Sequence, residues 1–77
     1  MIIQVFAVLK DYFDKEFEIQ GSVKNIAVLK QQLAGMNTEA ANVLDRCRFA
    51  VHDEFVDQNY PININDTICI IPPSSGG

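Results

Sequence analysis

The stretch Thr67-Ile68-Cys69-Ile70-Ile71-Pro72-Pro73-Ser74-Ser75-Gly76-Gly77 changes character abruptly in its middle. Residues 67–71 are nearly all apolar and rich in isoleucine, which predicts a strand buried on both faces in the middle of a sheet. Pro72 and Pro73 stop that strand, because neither can donate a hydrogen bond to a sheet ladder. The six residues that follow Ile71 reach roughly 20 Å when extended, at about 3.3 Å each. Gly76 and Gly77 carry no side chains, so a narrow channel can close around bare backbone there. The proline pair stiffens the base of such a tail, and Ser74 and Ser75 add polarity without bulk. The chain is thus expected to divide into a folded unit over residues 1–71 and an extended tail over 72–77.

Working back from the tail, Asn65-Asp66 is a turn signal, and Pro61 excludes a central strand at residues 60–62. Arg48 to Val51 and Phe55-Val56 read as two short strands, with a turn near His52-Asp53-Glu54. Ile26, Leu29 and Leu33 lie at helical spacing, Ser22 is suited to cap that helix, and Gly35 stands where a left-handed C-cap is wanted. Thr38 is expected to cap a shorter helix over residues 39–46, with Ala40, Val43 and Leu44 as its apolar face. Phe17 and Ile19 alternate with Glu16, Glu18 and Gln20 as a half-buried strand does. Ile2, Ile3, Val5 and Phe6 make a first strand, and Leu9, Tyr12 and Phe13 share one face of a helical turn after it. The order is strand, strand, helix, short helix, and three more strands, the most hydrophobic last. A compact solution is a mixed sheet with the last strand parallel to the first and the main helix packed across one face. That is an α+β fold of the β-grasp, or ubiquitin-like, kind.

Composition narrows the function. The chain has 77 residues, enough for one domain, and 48% of them are hydrophobic. The net charge is −4, and the basic residues Lys10, Lys15, Lys24, Lys30, Arg46 and Arg48 are scattered, which argues against nucleic acid. A mildly acidic domain suits a protein partner with a basic docking surface. Cys47 and Cys69 have neither zinc-ligand nor redox-pair spacing, and a disulfide between them is not expected. The start, Met1-Ile2-Ile3-Gln4-Val5, lacks a basic segment and a long apolar run, and no stretch is long enough to span a bilayer, so a cytoplasmic domain is expected.

His52, among Asp53, Glu54 and Asp57, reads as part of a solvated acidic turn rather than a cation site. Arg46 and Arg48 could lower the pKa of Cys47 between them, although a helix-to-strand junction favours a packed thiol. Cys69 reads as a small core hydrophobe. No Ser-His-Asp set, phosphate-binding glycine loop or metal cluster is present in the sequence, so the chain is not expected to be an enzyme by itself or to bind a cofactor.

The run Ile70-Ile71-Pro72-Pro73-Ser74-Ser75-Gly76-Gly77 resembles the ending of the small subunit of molybdopterin synthase, a ubiquitin-like sulfur carrier. Asn65-Asp66-Thr67-Ile68 is similar to that family's turn into its last strand, Ala50-Val51 to its third strand, and Val5-Phe6-Ala7-Val8-Leu9-Lys10 to its first strand and following turn. The likeness spans most of the chain, and its specific part is the C-terminal third. His52 stands where the family usually has Asn, and Asn65 where it usually has Gly. The resemblance implies that Gly77 is adenylated by a ubiquitin-activating-like adenylyltransferase that consumes ATP. A desulfurase or rhodanese then supplies sulfur, and the carboxylate becomes a thiocarboxylate. Gly76, Ser75, Ser74 and Pro73 would thread into the large subunit of molybdopterin synthase, and Gly77 would donate sulfur to cyclic pyranopterin monophosphate in molybdenum cofactor biosynthesis. A heterotetramer with that large subunit is expected.

Docking requires an apolar patch at the base of the tail. By similarity to the family, Phe55 and Ile71 belong there, on the sheet face away from the main helix; the alternative is that both are core residues. Other functions share the Gly-Gly ending: a sulfur carrier for thiamine or tRNA thiolation, a modifier conjugated to lysines through Gly77, or an interaction module that tolerates loss of its tail. The proline pair favours the molybdopterin pathway, since thiazole carriers usually lack it.

Overall fold

The structure, a computed structural model, describes residues 1–73. Strands β1 (Ile2–Val5) and β2 (Glu16–Glu18) are joined across a 3-10 turn over Ala7–Asp11. Helix α1 (Ile26–Met36), a 3-10 turn over Thr38–Ala40 and helix α2 (Ala41–Arg46) follow, then β3 (Arg48–Val51), β4 (Glu54–Val56) and β5 (Thr67–Ile71). The sheet order is β2-β1-β5-β3-β4, with β5 parallel to β1 and antiparallel to β3. The element order and the parallel pairing of first and last strands are those expected from the sequence.

Alternation along the strands sends Ile3, Val5, Phe49, Val51, Ile68 and Ile70 to one face, where they meet Ile26, Leu29, Leu33 and Leu44 of the helices. Each fully buried side chain of this kind contributes about 1.5–3 kcal/mol relative to exposure. The helices cover that face alone. Consequently β5 is central, as expected, yet not buried on both faces: Ile68 and Ile70 are buried, Cys69 and Ile71 are half-buried, and Thr67 is exposed. Cys69 is therefore not a core residue.

The capping residues also differ from expectation. Asn25, not Ser22, caps α1, its Oδ1 accepting the Val28 N–H at 2.9 Å. Residues just before it are held extended, since the Ile62 N–H donates to the Lys24 carbonyl and Asn25 bridges to Pro61. Ser22 is thus kept out of the helix. Gly35 lies within α1 rather than after it, and the helix ends at Asn37, whose N–H donates to the Leu33 carbonyl. Asn37, not Thr38, then caps the next turn, with Oδ1 accepting from the Glu39 N–H at 3.1 Å.

The β3–β4 hairpin turns through His52 and Asp53, at φ 52° and 65°. Two successive left-handed residues are what a tight hairpin of this twist requires. The turn before β5 is closed by the buried Asp66, whose Oδ2 accepts from the Asn63 N–H at 2.9 Å. His52 Nε2 approaches Asp66 Oδ1 at 3.6 Å, so the two turns meet at the same end of the sheet. Among the described residues no helix is long and apolar enough to cross a membrane.

Candidate functional site: the sheet face at the base of the tail

Because β5 is held between β1 and β3, Pro72 and Pro73 follow from the middle of the sheet rather than from an edge. The register pairs Ile71 with Arg48, so the last strand residue is fixed by its neighbour. Pro72 is buried and Pro73 exposed. Ser74, Ser75, Gly76 and Gly77, which carry most of the expected chemistry, lie outside the described residues.

Beside the end of β5 the helix-free face is apolar. Ala50 pairs with Cys69 on one side and Phe55 on the other, so all three side chains share that face. Phe6, immediately after β1, joins them, and with Asp53 and Ile71 these residues line a groove of about 300 Å³. Phe55 is 54% exposed and Ile71 half-buried, so neither belongs to the core formed against the helices. The Arg48 guanidinium lies over the Phe55 ring, with Cζ 3.9 Å from its centroid. A larger groove of about 380 Å³ lies between the helices and β4, and Arg48 and Phe55 line it too. Ile71 forms part of the wall of the smaller groove, which sets that groove beside the end of β5.

Towards the far edge the face becomes polar. Cys69 Sγ donates to Gln4 Oε1 at 3.4 Å, and Gln4 Nε2 donates to Glu16 Oε1 at 2.9 Å. Burial, with the charge of Asp53, pushes the Cys69 thiol up, which keeps it protonated and unreactive. Cys47 donates to the Val43 carbonyl at 3.1 Å, and burial raises it from the usual 9.0 to about 11 against the opposing effect of Lys30. It is a packed thiol, and Arg46 and Arg48 do not activate it. Both cysteines are free. Among the described residues no group of three or more His, Cys, Asp or Glu side chains could hold a metal ion.

Sequence reasoning named Phe55 and Ile71 but missed Phe6, Ala50 and Arg48. The signal available was alternation: Arg48 and Ala50 fall on the opposite side of β3 from Phe49 and Val51, and whichever pair faces the helices, the other must face outward.

The model of the ThiS family matches residues 3–77. Among solved structures, the chain is similar to a chain of the protein–protein complex of subunits 1 and 2 of the molybdopterin-converting factor from Helicobacter pylori 26695, with a TM-score of 0.70. That match has 23% identity and covers 99% of this chain and 96% of that one. It is also similar to SAMP1 from Haloferax volcanii, with a TM-score of 0.73 at 17% identity over 99% of this chain and 97% of that one. At such identities these likenesses speak to fold, the ubiquitin-like β-grasp.

Proposed function

This chain belongs to the ThiS family of ubiquitin-like sulfur carriers, and on that premise we propose that it is the sulfur-carrier small subunit of a molybdopterin synthase. The observation that carries the reading is the junction of β5 with the tail: a central strand ends at Ile71, two prolines follow, and the sequence runs on to Ser74-Ser75-Gly76-Gly77. The likeness to the Helicobacter pylori complex of molybdopterin-converting factor subunits supports a large-subunit partner.

In this reading a Gly77 carboxylate oxygen attacks the α-phosphorus of ATP in an adenylyltransferase, and pyrophosphate leaves. The outer sulfur of a persulfide carried by a desulfurase or rhodanese then attacks the acyl carbon and displaces AMP. A second thiol cleaves the resulting acyl disulfide, releasing the thiocarboxylate while the two thiol sulfurs are left joined as a disulfide. The loaded tail enters the large subunit, where cyclic pyranopterin monophosphate receives the sulfur. The chain's own contributions are positional. The sheet fixes the point from which the tail departs, the glycines let it pass a narrow channel, and Phe6, Phe55 and Ile71 give the partner an apolar seat. The carrier works in the cytoplasm, as part of a heterotetramer with its large subunit.

The test is an intact-mass spectrum of the full chain after incubation with host extract, ATP and cysteine, beside a chain lacking Gly77. A gain equal to the sulfur-for-oxygen difference, absent without Gly77, is expected. No gain overturns the carrier reading, and covalent adducts on other proteins would favour a modifier instead.

A further inference from the structure

We infer that the partner taking up the tail presents a carboxylate side chain to Arg48, within an otherwise apolar contact. The inference rests on the carrier reading above. Arg48 is exposed, lies opposite Ile71 in the sheet, and holds its guanidinium against Phe55. Any surface that covers Phe55 and Ile71 must therefore cover the guanidinium as well.

A guanidinium stripped of water within an apolar contact is costly unless an anion meets it. Among the described residues Lys30 pairs with Asp45, His52 approaches Asp66, and neither contact uses Arg48. The other charged side chains on the strand rows of this face are Glu16 and Glu18, on β2 at the opposite edge of the sheet. Asp53 lines the groove on this face and Asp45 and Asp57 line the adjoining one with Arg48, yet among the described residues none of them forms an ion pair with it. With Cζ 3.9 Å from the Phe55 centroid the guanidinium rests on the ring, a contact that is compatible with its N–H donors taking a carboxylate through two parallel hydrogen bonds. The ring also holds the side chain in place, so little freedom is lost when the partner arrives. An acidic residue on the partner completes the contact, and a partner lacking one is rejected.

The experiment is a binding titration of the full chain against the purified molybdopterin synthase large subunit of the same organism, with circular dichroism to verify folding. Wild type, R48K, R48L and R48E are compared at low and high salt. R48L is expected to bind about 30-fold more weakly or worse, since it leaves the partner's carboxylate buried and unpaired. R48E should be weaker still, R48K should retain part of the affinity, and one Asp or Glu to Lys change on the large subunit should restore R48E. If R48L binds as well as wild type, or more tightly, the partner surface is apolar there and the inference is overturned while the carrier reading stands. Self-association of the wild-type chain that R48E abolishes would assign Arg48 to a second copy and also overturn it. If the wild-type chain does not bind the large subunit at all, the carrier reading fails and takes this inference with it.

Discussion

Ile70 and Ile71 are consecutive residues of β5 and serve opposite faces of the sheet: Ile70 is fully buried beneath the helices, whereas Ile71 lines the helix-free groove with Phe55. The same truncation should therefore separate folding from docking. Ile70→Ala is expected to cost about 2–5 kcal/mol, because it empties space that close-packed neighbours cannot refill. Phe55→Ala should cost only about 0.5–1 kcal/mol, chiefly through loss of the Arg48 stacking. Chemical denaturation measures both, and a titration with the large subunit should show Phe55→Ala folded but at least about tenfold weaker in binding.

Asn37 ties three segments together. Its N–H ends α1 at Leu33, its Oδ1 caps the turn that leads to α2, and its Nδ2 donates to the Tyr12 carbonyl at 3.1 Å. Asn37→Ala removes a cap and leaves a part-buried carbonyl short of a donor, for a loss of about 1–3 kcal/mol. In a domain of this size a loss of 1 kcal/mol lowers the melting temperature by roughly 4–8 °C, which differential scanning calorimetry resolves. Thr38→Ala should change it little, since the Thr38 side chain makes no capping bond.

Gly35 occupies a helical position where an added Cβ would meet nothing within 4 Å. Gly35→Ala should stabilise the domain by about 0.5–1 kcal/mol, by restricting the unfolded chain and favouring the helix. A left-handed C-cap at this position would give the opposite sign, so the denaturation midpoint decides between the two geometries.

Cys47 gives the alkaline limb of stability a defined direction. Its thiol is held at about 11 in the folded protein, above the usual 9.0, by burial first and with Lys30 opposing. A raised pKa means the folded state keeps its proton while the unfolded state loses it. The Cys47 contribution is thus intact below pH 9 and declines as pH rises towards 11. Thermal melts of wild type and Cys47→Ala across that range should converge as pH increases. Alkylation of Cys47 by iodoacetamide at pH 8 should be slow in the native protein and fast in denaturant.

The amino-acid sequence by itself determined the features that depend on local pattern. Ile26, Leu29 and Leu33 mark the inner face of α1 through their spacing, and Ile3, Val5, Phe17 and residues 67–71 mark strands through theirs. Pro72 and Pro73 mark the end of β5, because neither can donate to a sheet ladder. Tertiary structure decided the features that depend on what arrives from elsewhere. Residues 67–71 read as buried on both sides, but the helices cover only one, so Cys69 and Ile71 are left on an open face. Ser22 is as good a cap as Asn25, until pairing of Lys24 and Asn25 with residues 61 and 62 holds that segment extended. Arg48 and Phe55 are seven positions apart in the sequence, and the hairpin through His52 and Asp53 brings them into contact. A strand's periodicity gives it two faces, and only the number of layers packed on the sheet determines which of them meets a partner.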